Sequence, residues 1–187
     1  MLRITYETII KDTDPNLRQK SVPLKLPLKA KDHSLAKRML RYVRDSRDDK
    51  KADKYQLKAA VGLAAPQTGA YVNLICVIAE DDEGIEHEYL LANPKIIAHS
   101  VQEAALSTGE GCLSVEEEHQ GLVYRAARIK VKAYDVLKED MVEVKVSGFV
   151  AIVLQHEIDH LSGILFYDRI NTQDPWAIKE NALIIGD

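Results

Sequence analysis

Hydrophobic positions change their spacing several times along the chain, and each change marks an element. Leu35, Met39, Tyr42 and Val43 fall at helical spacing, so "DHSLAKRMLRYVRD" is predicted to be an amphipathic helix. The charged run "RDSRDDKKADKY" has no apolar stripe and reads as a solvated loop or a weak helix. "VGLAAPQTG" is rich in Gly, Ala and Pro and is expected to be a loop. "YVNLICVIAE" is a continuous apolar run of strand length, and "EYLLANPKIIAHSVQEAALS" reads as short strands broken at Asn93-Pro94. "ARIKVKAYDVL" and "MVEVKVSG" alternate in period two on either side of "KED", a hairpin pattern.

From Gly148 the alternation stops. "GFVAIVLQHEIDHLSG" fits a helix with Ser147 as N-cap and Gly163 just past its end. Its first two turns are largely apolar, so burial is expected rather than a place on the surface. The tail "DPWAIKENALIIGD" reads as a polar turn and a last strand or coil. These elements predict an α+β fold, with short antiparallel or mixed sheets packed around a buried central helix.

Composition adds bounds. The 187 residues suit one domain over 1–187, and 46% hydrophobic against 29% charged residues suits a globular chain with a core. The net charge of −4 argues against a protein built mainly to grip phosphate backbones, so no specific nucleic-acid partner is expected. No run of 18 apolar residues occurs, and "MLRITYETIIKDTDPNLR" lacks a signal-peptide core, so no membrane role is expected. Two cysteines cannot make a disulfide framework. Cys76 reads as a buried small hydrophobe, and the expected compartment is a reducing cytoplasm.

The chemistry concentrates in the buried helix. His156 and His160 in "HEIDH" lie four residues apart, so both imidazoles can reach one ion from the same helix face. Glu157 points to the side of that ion, where a carboxylate can take a proton from an activated water and later return it. A catalytic site of this kind needs a third protein ligand and an open position. Downstream, Asp168, Asp174, Glu180 and Asp187 are the candidates, with Glu180 the usable glutamate; upstream, Cys112 stands beside Gly111 in a turn. A thiolate beside glycine can approach a metal closely, which favours Cys112.

Three motifs then stand in order: "GLAAPQ" (Gly62 to Gln67), "EGCLS" (Glu110 to Ser114) and "QHEIDH" (Gln155 to His160). In this order and spacing the chain resembles the bacterial peptide deformylases, and "DPNLR" and "GLVYR" also look like family segments. The charged insertion near residues 45–56, "VEEEHQG" and the short tail resemble the class found mainly in Gram-positive bacteria. The resemblance implies removal of the formyl group from N-formylmethionyl nascent peptides, near the ribosome exit tunnel, with release of formate. It implies Cys112, His156 and His160 as ligands of one divalent metal, characteristically Fe²⁺, with Zn²⁺, Ni²⁺ or Co²⁺ able to take its place. It implies Glu157 as the acid–base group, with the Gln67 amide and the Leu113 N–H as oxyanion donors.

The substrate backbone is expected along Val61 and Gly62 with Gly111 opposite. Phe149, Ile152 and Val153 are expected to form the methionine pocket. Asp159, charged inside a buried segment, needs a partner, and Arg125 is the candidate. Ala60 stands where many relatives have Gly, which matters only if that residue needs a positive φ. The tail lacks a long basic helix for ribosome docking, and a monomer is the default. Two other readings compete: an HExxH endopeptidase with Glu180 as third ligand, and a non-catalytic peptide binder on the same fold.

Overall fold

The computed structural model describes residues 3–186. Its helices are α1 (Ala30–Ser46), α2 (Asp49–Tyr55) and α3 (Gly148–His160). Its strands are β1 (Gly62–Ala64), β2 (Leu74–Glu80), β3 (Glu86–His99), β4 (Glu103–Leu106), β5 (Arg125–Ala126), β6 (Arg128–Asp135), β7 (Asp140–Ser147) and β8 (Leu183–Ile185). Five of these form an antiparallel sheet in the order β1-β2-β3-β6-β7, and three form a mixed sheet in the order β5-β4-β8. The fold is α+β, as the spacing pattern predicts.

The unbroken apolar run of β2 has a plain cause. Leu74, Cys76 and Ile78 face the cluster that holds Met39, Tyr42 and Val43 of α1. Ile75, Val77 and Ala79 face the cluster that holds Val150, Ala151, Val153 and Leu154 of α3. A strand covered on both sides has no polar face to show, so alternation disappears. The β6–β7 hairpin keeps its alternation on β6, where buried Ile129, Val131 and Ala133 alternate with more exposed Lys130 and Lys132.

Two local expectations need correction. "VGLAAPQTG" is not wholly a loop: Gly62–Ala64 pairs with β2, and Ala65–Thr68 continues as a 3₁₀ turn. Three ladder residues at the edge of the sheet carry too little periodicity to be read from sequence. Nor does the chain break at Asn93-Pro94. β3 runs through it, because Asn93 takes φ +53 at a register shift between Ala92 and Lys95 in the pairing with β6. Pro94 sits inside that irregularity, where no ladder N–H is required. Ser147 stands at the N-cap of α3, as expected, and makes no side-chain cap bond. The helix ends at His160, and the chain turns through Gly163 at φ +70 against the Arg18 backbone.

Candidate active site

One cleft of about 420 Å³ is walled by residues 58–62, by Gly111–Leu113 and by α3. Three elements from distant parts of the sequence meet there. α3 supplies His156, Glu157 and His160, and its grip on β5 is specific: the Gln155 amide accepts from Ala126 N (3.1 Å) and donates to Ala126 O (2.9 Å). The turn after Glu110 supplies Cys112 and Leu113. The turn after β1 supplies Gln67, whose Oε1 accepts from Ala64 N at 2.8 Å and whose Nε2 donates to Ser114 Oγ at 3.1 Å. Held at both ends, this amide has its Nε2 3.6 Å from Cys112 Sγ.

Cys112, His156 and His160 each offer a ligand atom, and these atoms lie within 4.8 Å of one another. Cys112 Sγ is 3.3 Å from His160 Nε2, and the two imidazole rings are 5.0 Å apart. His156 Nδ1 donates to Glu110 Oε2 at 2.8 Å. Two buried atoms of this site find no hydrogen-bond partner: Glu157 Oε2 and His160 Nδ1. One sulfur and two nitrogens converging on a point, beside an unpaired carboxylate, fit a divalent transition metal with an open position. Glu180, by contrast, is exposed and joins no such group among the described residues; Asp187 lies outside them.

Glu157 is buried, and that burial raises its pKa to about 7 despite the opposing charges of His156 and Arg125. Gly62 explains how the carboxylate fits: a Cβ at that position would collide with the Glu157 carboxyl group. Burial disfavours a charged His156, but hydrogen bonds to Cys112 and Glu110 outweigh it and hold its pKa well above the usual range. Burial, then the charge of His156, pushes His160 well below it. At Glu110 the partners again outweigh burial: burial raises it, while His156 and Arg125 together bring it down to about 2.

The expected Arg125–Asp159 contact is present, at 2.7 Å from NH1 to Oδ2. It belongs to a longer chain of charges. Arg125 also holds Glu110 through two bonds (2.6 and 2.9 Å), and Arg169 clamps Asp159 through two more, each 2.7 Å. Sequence reading missed Glu110 and Arg169. Glu110 carried a signal, a lone acid next to a small-residue turn that leads into the thiol; Arg169 carried none. Val61, Gly62, Gly111, Phe149, Ile152 and Val153 all line the cleft. Ala60 lies outside the positive-φ positions, so its Cβ strains nothing there.

Residues 6–176 match the family model described as polypeptide deformylase. The chain belongs to the polypeptide deformylase family. It is 44% identical over 179 residues to a peptide deformylase of Oceanobacillus iheyensis, covering 96% of this chain and 97% of that one. It is 44% identical over 182 residues to peptide deformylase 2 of Bacillus subtilis, covering 97% and 98%. A Met-Ala-Ser-bound crystal structure of a class I type b peptide deformylase from Acinetobacter baumannii superposes with a TM-score of 0.67 at 31% identity, over 87% of this chain and 96% of that one. The curated relatives of this deformylase come largely from Gram-positive bacteria. It is a hydrolase of protein biosynthesis, from a family of metalloenzymes that deformylates nascent peptides.

Proposed function

We propose that this deformylase removes the formyl group from the N-terminal formylmethionine of newly made chains, in a metal-dependent hydrolysis that releases formate. The observation that carries the proposal is the convergence of Cys112, His156 and His160 beside a buried, unpaired Glu157 at the end of a cleft. On this reading α3 is the central helix on which HExxH works, and the whole chain acts as one catalytic domain. It acts as a monomer in the cytoplasm, on chains leaving the ribosome. Fe²⁺ is the ion proposed for the site; Zn²⁺, Ni²⁺ and Co²⁺ suit the same donors.

Cys112, His156 and His160 would hold the metal, and a bound divalent ion supplies Lewis acidity toward the formyl oxygen and toward water. The remaining work falls to the chain's own groups. Glu157 takes a proton from the attacking water and delivers it to the leaving amine. The Gln67 Nε2 group and the Leu113 N–H donate to the oxyanion that forms at the formyl carbon, and the Gln67 amide is fixed before substrate arrives. Glu110 orients His156 through Nδ1, and Arg125 with Asp159 holds Glu110 in turn. The peptide backbone lies along Val61 and Gly62 with Gly111 opposite, and its methionine side chain enters the apolar wall of Phe149, Ile152 and Val153. The Acinetobacter enzyme was crystallised with Met-Ala-Ser, which is what a formylated Met-Ala-Ser becomes after deformylation; this supports the same substrate class here.

Formate release from formyl-Met-Ala-Ser tests the proposal, with Glu157→Ala measured beside the wild type. Expected is release by the wild type and a fall of about 10²–10⁴-fold in the variant, with metal content unchanged. A wild-type protein that carries its full complement of metal and releases no formate overturns the proposal.

A further inference from the structure

Beyond the reactive centre, the charges that line the cleft have one sign. Glu110, His156 and Glu157 sit at the catalytic end; the other charged lining residues are Arg47 and Lys58. Arg47 shares its charge with Glu86 at 2.7 Å. Lys58 is exposed, and among the described residues no carboxylate pairs with it; its Nζ lies 5.5 Å from the centre of the Tyr6 ring. A second ammonium, Lys11 Nζ, sits 3.4 Å from the same ring and donates to Leu113 O at 3.1 Å, but it shares its charge with Glu116 at 3.4 Å, which leaves the rim to Lys58 and Arg47. So the rim that continues from Gly62 to Lys58 is cationic, on a chain whose net charge is −4.

The direction of a bound peptide follows from what is closed. Its formyl end must reach Glu157, beside Gly62. Onward passage past Ala64 is blocked, because Ala64 and Ala65 are fully buried and Gln67 closes the turn onto Ala64 N. The peptide therefore leaves the centre along residues 61, 60 and 59 toward Lys58. Four residues span at most about 14 Å, so the third and fourth residues of an extended nascent chain come level with Lys58 and Arg47.

We infer that Lys58, with Arg47, is a specificity-determining element that favours acidic side chains at the third and fourth positions of the nascent chain. This rests on the deformylase reading. The ammonium and guanidinium approach a carboxylate there in solvent, where ion pairs are weak and screened by salt. The effect is accordingly small and appears in KM rather than kcat.

The test compares kcat/KM for formyl-Met-Ala-Glu-Glu, formyl-Met-Ala-Gln-Gln and formyl-Met-Ala-Lys-Lys, all as C-terminal amides so that only side chains carry the charge. Expected is an order Glu > Gln > Lys with steps of roughly two- to fivefold, shrinking as salt is raised. Lys58→Glu should reverse the order, while Lys37→Glu, on the outer face of α1, should leave it as in the wild type. Equal rates for the three peptides, or an order that survives Lys58→Glu, overturn the inference while deformylation continues. Failure to release formate from any of them would strike the deformylase reading instead.

Discussion

Cys112 decides the chemistry at the scale of single residues. It is one of two cysteines, and its surroundings differ from those of Cys76 in every respect that matters. Cys76 is fully buried on β2, and burial pushes its thiol pKa above the ordinary thiol range. Cys112 sits in a turn with an imidazole 3.3 Å away. Cys112→Ala is expected to abolish stoichiometric metal binding while leaving the fold, as measured by metal analysis and circular dichroism. A variant that kept its metal would instead favour an HExxH endopeptidase with another third ligand. The grouping of Cys112 with His156 and His160, the burial of Glu157 and the Arg125–Asp159 pair were legible in the sequence, because buried charge in an apolar helix demands a partner. It did not make Arg169 legible: an arginine nine residues past His160 looks like any surface cation until the turn at Gly163 brings it back onto Asp159.

At the scale of elements, α3 is positioned by packing rather than by capping. Leu154 is fully buried and shares a cluster with Ile75 and Val77 of β2. Leu154→Ala should lower the unfolding free energy by about 2–5 kcal/mol in denaturant titration. The same truncation at Leu137, 45% exposed on the β6–β7 connection, should cost less than about 1 kcal/mol. Equal losses at the two sites would show that α3 is not anchored through this cluster. The periodicity of α1 and of the β6–β7 hairpin could be read directly, because each presents one wet face. β1 and the passage of β3 through Asn93 could not. Asn93 tolerates its positive φ with its side chain tied to the backbone of Leu24 by two bonds of 2.8 Å, a contact across 69 residues.

At the scale of the whole molecule, the N-terminal segment is tied to the chain beyond α3 by Arg18, which bonds Gly163 O, Tyr167 and Asp168. Burial raises the Asp168 pKa, but the hydrogen bond from Arg18 outweighs it and holds the carboxyl below its usual range. A carboxyl depressed in the folded state adds stability that is present above its unfolded pKa of about 3.9 and is lost as pH falls through its lower folded value. The pair is about one-third exposed, so solvent screening limits its contribution to at most about 1 kcal/mol. Asp168→Asn should therefore melt below the wild type near neutral pH, and the gap should close as the pH falls below the ordinary carboxylate range. A gap independent of pH would assign the loss to packing instead of charge.

The sequence by itself determined the class of the fold, the helix that carries His156, Glu157 and His160, and the apolar faces, because periodicity and the cost of burying charge are local properties of the chain. Only the tertiary structure decided which way the cleft runs, which charges line it, and that Glu110 bonds His156 while Arg169 braces Asp159. Those depend on which distant segments meet, and residues as far apart as Lys58, Glu110 and Arg169 carry no mark of their juxtapositions until the sheet and α3 are packed together.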